Sequence, residues 1–378
     1  MLLSSSTRPL TILQILPALH AGGVERGTLE ISRYLVQHGH CSLVMSAGGR
    51  MVPQLLAEGG EHFTSPIGKK SLFNLRLIWQ LRRFLVEHKV DILHLRSRMP
   101  AWVGYLAWRG MDPATRPKLV TTVHGAYSVN AYSSVMTKGE RVIAVSSTIR
   151  DYILKNYPKV NPDKIRLIYR GVDPQEFPRG YKPSKEWLAK WQHDYPQLSG
   201  KIIITLPGRI TRWKGQLDFI QLVTRLKQNG INVHGIIAGE ADPKKASFLQ
   251  ELKEKISTLN LTNDISLIGH RSDLKEVMSV SDLVLSLSQD PEAFGRITPE
   301  ALSLGIPVVG YNHGGVGEVL KAMFPVGLVK LGDINGLITT AQQCLTQLYP
   351  INENTIFTLG EMQDKTFSVY RELQNPRL

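Results

Sequence analysis

Cysteine is almost absent from this chain, since only Cys41 and Cys344 occur in 378 residues. Two thiols so far apart form no metal or redox motif, and they are typical of a reducing compartment. Long apolar runs are also missing: the longest have the length of a strand, which excludes a transmembrane helix. The N-terminus lacks the basic region and apolar core of a secretory signal. We therefore expect a cytoplasmic protein.

Negative charge is scarce in the first half of the chain. Residues 1–180 hold 24 Lys and Arg against 12 Asp and Glu, whereas residues 181–378 hold 21 against 20. The excess of positive charge predicts that the first half meets an anionic surface or acceptor. Nucleic acid is the other candidate, but no helix-turn-helix, zinc-finger or RNA-binding signature accompanies the charge. We expect no nucleic-acid partner.

The length of the chain predicts two domains. Short apolar runs alternate with helical patterns, as a parallel α/β sheet requires. A proline-rich stretch at 171–200 is interpreted as a linker followed by a helix around Trp187. We therefore predict two doubly wound Rossmann-like domains, residues 1–180 and 181–357, facing each other across a cleft that binds ligands at the carboxyl ends of the strands. The predicted strands are 11–16, 41–46, 91–95, 119–123 and 141–146 in the first domain, and 201–206, 233–238, 265–268, 283–288 and 306–310 in the second.

The most informative segment is residues 290–301, where two carboxylates flank a glycine turn that leads into a helix. Thr298 is a good N-cap and Pro299 fits the first helical position. The amides of the helix start, with those of Phe294 and Gly295, are then free to face a phosphate.

The carboxylates of this segment suit a sugar donor. Glu300, in the first turn, can accept from a vicinal diol such as a ribose, and Glu292 from a hexose hydroxyl. The alternative is an exposed loop with two solvated glutamates before an ordinary helix.

The segment resembles the E-x7-E signature of retaining glycosyltransferases of the GT-B fold, in particular the large family four that includes lipopolysaccharide-core and capsule transferases. Four further matches occur in the expected order along nearly the whole chain. They are the Gly22-Gly23-Val24-Glu25-Arg26 loop, His124-Gly125, Gly208-Arg209 with Lys214-Gly215, and the Gly314-Gly315-Val316-Gly317-Glu318 turn. The resemblance implies transfer of a sugar from a nucleotide diphosphate with retention of anomeric configuration.

Sugar transfer places negative charge on the leaving diphosphate, so a cation must stabilise it. Arg209 and Lys214 follow the first strand of the second domain between two glycines, and Arg and Lys are both suited to phosphate oxygens. We predict that they are catalytic together with Glu292. The alternative is a pair of surface cations on an α/β loop.

His124 follows the predicted strand 119–123 and precedes a glycine, which favours a position in the cleft. By resemblance it contacts the donor sugar and stabilises the transition state, through its backbone carbonyl as well as its ring. A lone histidine is more often a structural residue, and no role as a general base is assigned to it.

The donor-binding residues predicted from these motifs include glycine loops that let the backbone approach a ligand. By resemblance, the loop after strand 265–268 touches the base, and the C-terminal segment 358–378 is a helix that joins the first domain. The spacing at Gly22 lacks the dinucleotide fingerprint, and a turn without a ligand is the alternative there. The predicted donor-binding set is Gly22, Gly23, Gly269, His270, Arg271, Phe294, Gly295, Arg296, Ile297 and Glu300.

No Asp-x-Asp pair occurs in the sequence. This removes the usual metal-diphosphate anchor of the other large glycosyltransferase fold. We expect no metal and no cofactor other than the nucleotide-sugar co-substrate.

The acceptor is predicted to bind the basic first domain. Arg96, Arg98 and Lys138, with Lys69 and Lys70, are candidate ligands for phosphate or carboxylate groups. In the predicted helix 71–90, the apolar residues Leu77, Ile78, Leu81, Phe84 and Leu85 share one face. Leu72, Leu75, Trp79 and Val86 lie on a flank with Arg76, Arg82 and Arg83, which is either a membrane-contacting surface or part of a wide buried stripe.

The sequence therefore predicts a retaining, metal-independent glycosyltransferase. Its acceptor is an anionic glycolipid or saccharide, with lipopolysaccharide core the leading candidate. We expect peripheral contact with the cytoplasmic face of the inner membrane. A sugar-nucleotide epimerase and a non-catalytic nucleotide-sugar binding protein are the alternatives.

Overall fold

The computed structural model describes residues 8–20, 22–69, 74–241 and 246–374. The chain divides into two compact units, Met1–Arg170 with Leu359–Leu378, and Gly171–Thr358. The first boundary lies ten residues before the one expected at 180. Residues 171–180 belong to the second unit because they pair with it: Val172 forms a β-bridge with Thr358, and the Gly180 amide donates to the Leu304 carbonyl at 2.9 Å.

The first unit is a seven-stranded parallel sheet with the order β3-β2-β1-β4-β5-β6-β7. Its elements are β1 (Thr11–Ile15), α1 (Gly23–Gln37), β2 (Cys41–Ser46), α2 (Val52–Ala57), β3 (Glu61–Thr64), α3 (Asn74–Glu87), β4 (Ile92–Leu95), α4 (Arg98–Arg109), β5 (Lys118–Val123), β6 (Arg141–Ala144), α5 (Ser147–Asn156) and β7 (Ile165–Leu167).

The second unit is a six-stranded parallel sheet with the order β10-β9-β8-β11-β12-β13. Its elements are α6 (Lys185–Asp194), β8 (Ile202–Pro207), α7 (Gln216–Gln228), β9 (Val233–Ala238), α8 (Ala246–Thr258), β10 (Ile265–Gly269), α9 (Leu274–Ser279), β11 (Leu283–Ser286), α10 (Ile297–Leu304), β12 (Val308–Tyr311), α11 (Gly314–Met323), β13 (Leu328–Val329) and α12 (Ile334–Thr346). The last helix of the chain, α13 (Leu359–Gln374), belongs to the first unit.

Both sheets confirm the predicted pair of Rossmann-like folds. Each predicted strand is present, with ends that differ by at most two residues. The strands missed by the sequence prediction are β3, β7 and β13, which are two to four residues long and lie at sheet edges. An edge strand is covered less than a central one, so it carries a weaker apolar signal. In β3 all four residues are at least partly exposed.

Helix α13 covers part of the first sheet. Its apolar residues pack with Ile31 and Leu35 of α1 against residues from five strands or strand ends: Ile12, Ile92, Val120, Ile143 and Ile168. The hydroxyl of Tyr370, which is fully buried, lies 2.7 Å from Nδ1 of His94 in β4. The C-terminal segment is therefore part of the core of the first unit.

The strand orders reverse direction at one place in each sheet. In the first sheet the reversal lies between β1 and β4, and in the second between β8 and β11. Loops that leave the carboxyl ends of two such strands run apart and leave a crevice in which doubly wound proteins bind ligands. We therefore expect functional side chains in the loops that follow these strands.

Candidate active site

In the second unit, the loops after β8 and β11 bring together two of the residues predicted to be catalytic. Lys214 Nζ donates to Glu292 Oε1 at 2.7 Å, and the Ser288 hydroxyl donates to the same carboxylate oxygen. The Lys214 side chain is 17% exposed and that of Glu292 is 19% exposed, so the pair is partly shielded from water. The two residues are 78 positions apart in sequence, and only the adjacency of β8 and β11 explains their meeting.

The backbone of the two loops is joined as well. The Gln289 amide donates to the Trp213 carbonyl at 2.7 Å. Gly215 adopts φ +77°, and a Cβ there would overlap the carbonyl oxygen of Leu287. Glycine is therefore needed for both its left-handed conformation and the close approach of the β11 loop. This packing fixes Lys214 beside Glu292.

Helix α10 starts differently from the prediction. Thr298 was expected to be the N-cap with Pro299 at the first helical position, but the helix begins at Ile297 and no side chain caps it. The prediction was wrong because Arg296 already has helical φ and ψ, which places Thr298 inside the helix, fully buried. The Arg296 guanidinium lies 3.4 Å from a carboxylate oxygen of Glu300, so this glutamate already has a partner.

The glycine turn before α11 is attached to the same loop. The Gly315 amide donates to the Glu292 carbonyl at 2.8 Å. Phe294, two residues after Glu292, is buried, and its ring centroid lies 5.8 Å from that of Phe357. Gly295 adopts φ +77° beside it. The two motifs predicted from the sequence therefore form one connected structure.

The other residues predicted for the donor lie at the ends of β8 and β10. Arg209 is exposed after β8, and His270 is exposed after β10, which ends at Gly269. Arg271 forms an ion pair with Asp273, with Nε 2.8 Å from Oδ1, and its guanidinium lies 5.6 Å from the ring centroid of Trp191. The side chain of Arg271 is thus held against α6.

In the first unit, His124 lies directly after β5, as predicted. Its Nδ1 is 2.5 Å from Nη2 of Arg170, and its Nε2 is buried without a hydrogen-bond partner among the described residues. Burial lowers the pKa of His124 well below the ordinary histidine value, and the positive charges of Arg170 and Arg96 lower it further. His124 is therefore a neutral imidazole.

Arg170 was not predicted from the sequence. It follows the short strand β7, which carries no alternating apolar signal, and it is only 8% exposed. The run Ile168-Tyr169-Arg170-Gly171 contains a basic residue before a glycine, which is the same local feature as in Lys214-Gly215. A partner for His124 is nonetheless a tertiary property that spacing alone does not reveal.

The residues predicted to bind the acceptor have different environments. Arg96, after β4, is only 2% exposed and donates to Gln14 Oε1 at 2.5 Å; burial lowers the pKa of its guanidinium to about 10. Arg98 stacks over the rings of Tyr127 and Tyr132 at 4.7 and 5.5 Å. Lys138 is exposed. Contact of these side chains with an acceptor stays a prediction, and Lys70 lies outside the described residues.

The residues of helix α3 differ in their exposure to solvent. Ile78, Leu81 and Leu85 are buried, whereas Trp79 is 70% exposed and Val86 is 65% exposed. The flank around Trp79 is therefore not part of a buried stripe. Leu72 lies outside the described residues, as does the side chain of Leu75. No helix in the described ranges combines the length and apolar character needed to cross a bilayer.

Gly22 and Gly23 mark the start of α1. Gly22 precedes the helix with φ +133°, and both glycines are exposed. The carboxylate of Glu25, in the first turn, lies beside Gly22, and burial raises the pKa of this carboxyl. The two glycines therefore lie at the start of α1, which follows β1 at the reversal point of the first sheet.

Comparisons with family models and with solved structures indicate the same family for this chain. A model described as Glycosyltransferase Family 4 matches residues 21–176, and one described as Glycosyl transferases group 1 matches residues 189–340. A solved glycosyltransferase from Rickettsia africae ESF-5 is 31% identical, with a TM-score of 0.85 over 97% of this chain and 99% of its own. The chain belongs to the family 4 glycosyltransferases of the GT-B fold.

Proteins with lower identity to this chain are named for different activities. The N-acetyl-alpha-D-glucosaminyl L-malate synthase of Bacillus anthracis is 24% identical over 314 residues, which is 81% of this chain and 77% of that protein. The UDP-Gal:alpha-D-GlcNAc-diphosphoundecaprenol alpha-1,3-galactosyltransferase of Escherichia coli is 26% identical over 70% of this chain and 69% of its own. The structure of Anabaena HepE in complex with UDP and glucose is 21% identical, with a TM-score of 0.75 over 97% of this chain and 99% of its own, and shows the same fold.

The close approach at Gly215 generates a stability prediction. Ala in the left-handed region costs about 1–2 kcal/mol, so Gly215→Ala and Gly230→Ala both lose that amount. Gly230 has φ +79° and open space where a Cβ would lie, so it is a matched control. Gly215→Ala must also displace Leu287, and we expect its melting temperature to fall clearly further than that of Gly230→Ala. Equal shifts in a thermal unfolding experiment would contradict the packing described here.

Proposed function

We propose that this glycosyltransferase is a retaining, metal-independent enzyme that transfers a sugar from a nucleotide diphosphate to an anionic glycolipid or saccharide in cell-surface glycan synthesis. The observation that carries the proposal is the Lys214–Glu292 pair with Ser288 after β8 and β11. In the reaction the bond from the anomeric carbon to the diphosphate oxygen breaks and a bond to an acceptor oxygen forms. The proton of the acceptor leaves with the diphosphate.

The pair has the chemistry that such a reaction needs. Lys214 Nζ carries three donors, so it can bond Glu292 and still donate to a diphosphate oxygen. Glu292 has an oxygen left to accept from a sugar hydroxyl, and Lys214 holds its orientation. Because both groups are partly shielded, the positive charge acts on the leaving group more strongly than it would in water. Exposed Arg209 adds a second cation after the same strand.

The donor class is supported by relatives. HepE of Anabaena, which has the same fold, is described in complex with UDP-glucose. The Escherichia coli relative is named for a UDP-galactose donor. We propose a nucleoside-diphosphate sugar for this chain, with the base contacted by the backbone of residues 269–271 and the ribose by Glu300.

The acceptor class is supported by charge and by relatives. The Escherichia coli protein acts on a diphospho-lipid sugar, and proteins with the same fold include the lipopolysaccharide outer core galactosyltransferase WaaB. The positive excess of residues 1–180 and the exposed Lys138 suit phosphate-bearing acceptors of this kind. We propose that the first unit binds the acceptor and that the protein meets the membrane surface where lipid-linked acceptors lie.

Metal independence is proposed from the sequence. The chain has no Asp-x-Asp pair, and the cationic loop with Lys214 can supply the charge that a metal ion supplies in other transferases. Transfer that is unchanged by a chelator supports this point, and transfer that requires added Mg²⁺ or Mn²⁺ overturns it.

Removing either member of the pair is predicted to abolish most of the activity. We expect Lys214→Ala and Glu292→Ala to lower kcat for sugar transfer by roughly 100- to 1,000-fold. The first change removes the preorganised charge at the leaving group, and the second removes the acceptor for the sugar hydroxyl and the partner of Lys214. The assay measures radiolabelled sugar transferred to an extracted glycolipid fraction, and NMR of the product gives the anomeric configuration. Inversion of configuration would contradict the proposed retention.

Lys190→Ala is the matched control for Lys214→Ala. Lys190 is 75% exposed and pairs with Asp194 on the surface of α6, so its loss removes a lysine ion pair without touching the loops. Wild-type activity in the two loop variants, with their melting temperatures unchanged, would overturn the assigned roles. A product formed without any acceptor would indicate an epimerase, and nucleotide-sugar binding without any product would indicate a binding protein.

Membrane contact is predicted to depend on Trp79. Arg82 lies 5.0 Å from the Trp79 ring and Arg83 is largely exposed, so an aromatic side chain lies among cations on α3. We expect Trp79→Ser to weaken binding to vesicles containing anionic lipid about tenfold at low salt, because the variant loses the apolar area that the indole ring buries in the membrane surface. Leu348→Ser, which changes a fully exposed apolar residue of the second unit, is the control. The membrane proposal fails if the wild type does not sediment with the vesicles.

A further inference from the structure

The two ring nitrogens of His124 have different environments. Arg170 Nη2 lies 2.5 Å from Nδ1, and because a guanidinium can only donate, Nδ1 must accept. Nε2 is buried and has no hydrogen-bond partner among the described residues. A neutral imidazole carries one proton, so that proton is on Nε2.

The guanidinium that fixes this arrangement is itself fixed. A Cβ at Gly27 of α1 would lie 2.6 Å from Arg170 Nη1, so the helix passes directly over the guanidinium. On the α13 side, Nη1 lies 3.8 Å from the sulfur of Met362. Arg170 is thus packed between two helices, and its direction toward His124 is set by the core.

The charged surroundings favour the neutral ring. Burial is the main reason for the lowered pKa of His124, followed by the charges of Arg170, Arg96 and His94. The titratable and charged groups near His124 come from several elements. His94 and Arg96 lie in β4 and at its end, Tyr127 lies in the loop after β5, and Arg170 follows β7. Further out, Tyr370 of α13 contacts His94, and Glu25 and Glu30 of α1 interact with Arg96.

This geometry limits the chemistry of His124. The lone pair of Nδ1 is engaged by Arg170, and Nε2 carries the proton, so the ring cannot take a proton from an acceptor hydroxyl. The ring also lacks the positive charge that would oppose the charge growing on the sugar. What remains is a single N–H donor that has no acceptor among the described residues. Such a group is costly unless a ligand or an ordered water supplies the acceptor.

We propose that Arg170 is a positioning residue, which holds the imidazole of His124 so that its Nε2–H donates a hydrogen bond to an oxygen of the substrate. This inference rests on the proposed sugar transfer, and it adds to that proposal the residue that decides the protonation and direction of His124. Arg170 acts only through His124 and does not itself touch the substrate.

A double-mutant cycle tests whether the two residues act as one unit. We expect Arg170→Met to lower kcat for sugar transfer roughly tenfold with little change in KM, because a donor that acts at the reacting sugar is misdirected. In a His124→Ala background the same change should cost no more than about twofold, since the ring it positions is gone. Effects that multiply would overturn the inference, because they indicate a separate role for Arg170 in binding or in folding.

A second measurement does not depend on activity. NMR of protein labelled with ¹⁵N-histidine, with His124 assigned from its Ala variant, reports the tautomer and pKa of the ring in the ligand-free protein. We expect the wild type to be neutral with the proton on Nε2, and Arg170→Met to raise the pKa of His124. An unchanged pKa, or a proton on Nδ1 in the wild type, overturns the inference even if sugar transfer is confirmed. A wild type without transferase activity overturns the proposed function instead.

Two variants guard against loss of folding. Arg141→Met removes another partly buried arginine of the first unit, and Glu372 keeps Arg166 as its partner there, so kcat should stay at the wild-type level. If Arg170→Met melts below the assay temperature, Arg170→Lys keeps the positive charge in the core and loses the planar fork, and the double-mutant cycle is run on it. The same non-additivity with His124→Ala is expected, and multiplied effects again contradict the proposal.

Discussion

The partly shielded ion pair between Lys214 and Glu292 is the interaction on which the second unit's chemistry depends. It exists because β8 and β11 are neighbours in the sheet although two strands separate them in sequence. Gly215 permits the loops to touch, and the amide of Gly315 fixes the backbone of Glu292 from the side of α11. A charge held in this way needs no reorganisation when a diphosphate leaves, which is the main advantage of a folded site over water.

The first unit contains two buried cations. Arg96 and Arg170 lie within the core, and both guanidiniums approach Gly27 of α1. Burying a positive charge is costly unless polar partners surround it. Here Gln14 and His124 are among these partners, so part of the polar core is made of residues at the carboxyl ends of strands. The stability of the unit and the state of His124 are therefore linked.

Much of the fold could be predicted from the sequence, because central strands of a parallel sheet are continuous apolar runs. The strand Val233–Ala238, which is buried throughout, is an example. The edge strands could not be predicted because a partly exposed strand such as Glu61–Thr64 has no such run. The start of α10 was misplaced because the backbone of Arg296, rather than the chemistry of Thr298, decides where the helix begins.

The candidate site was predictable where it depends on local motifs and unpredictable where it depends on tertiary contacts. Lys214 and His124 stand beside glycines after strands, and Glu292 lies in a glycine-containing turn before a helix; both patterns are visible in sequence. Ser288 has no such signal. Arg170 precedes Gly171, but this does not reveal its role, because the roles of Ser288 and Arg170 come from the partners they contact, Glu292 and His124 respectively. Likewise, nothing in the pattern around Arg96 indicated that this cation would be buried.

The proposed function requires the second unit to bind a nucleoside diphosphate without metal. It is tested most directly by measuring the melting temperature of the protein with UDP, GDP, ADP, CMP and NAD in the presence of a chelator, since a ligand that binds only the folded state raises that temperature. We expect a clear rise with one nucleoside diphosphate, and no rise with the same nucleotide in the Lys214→Ala variant. A rise that appears only with added metal, or one that survives in Lys214→Ala, would contradict it.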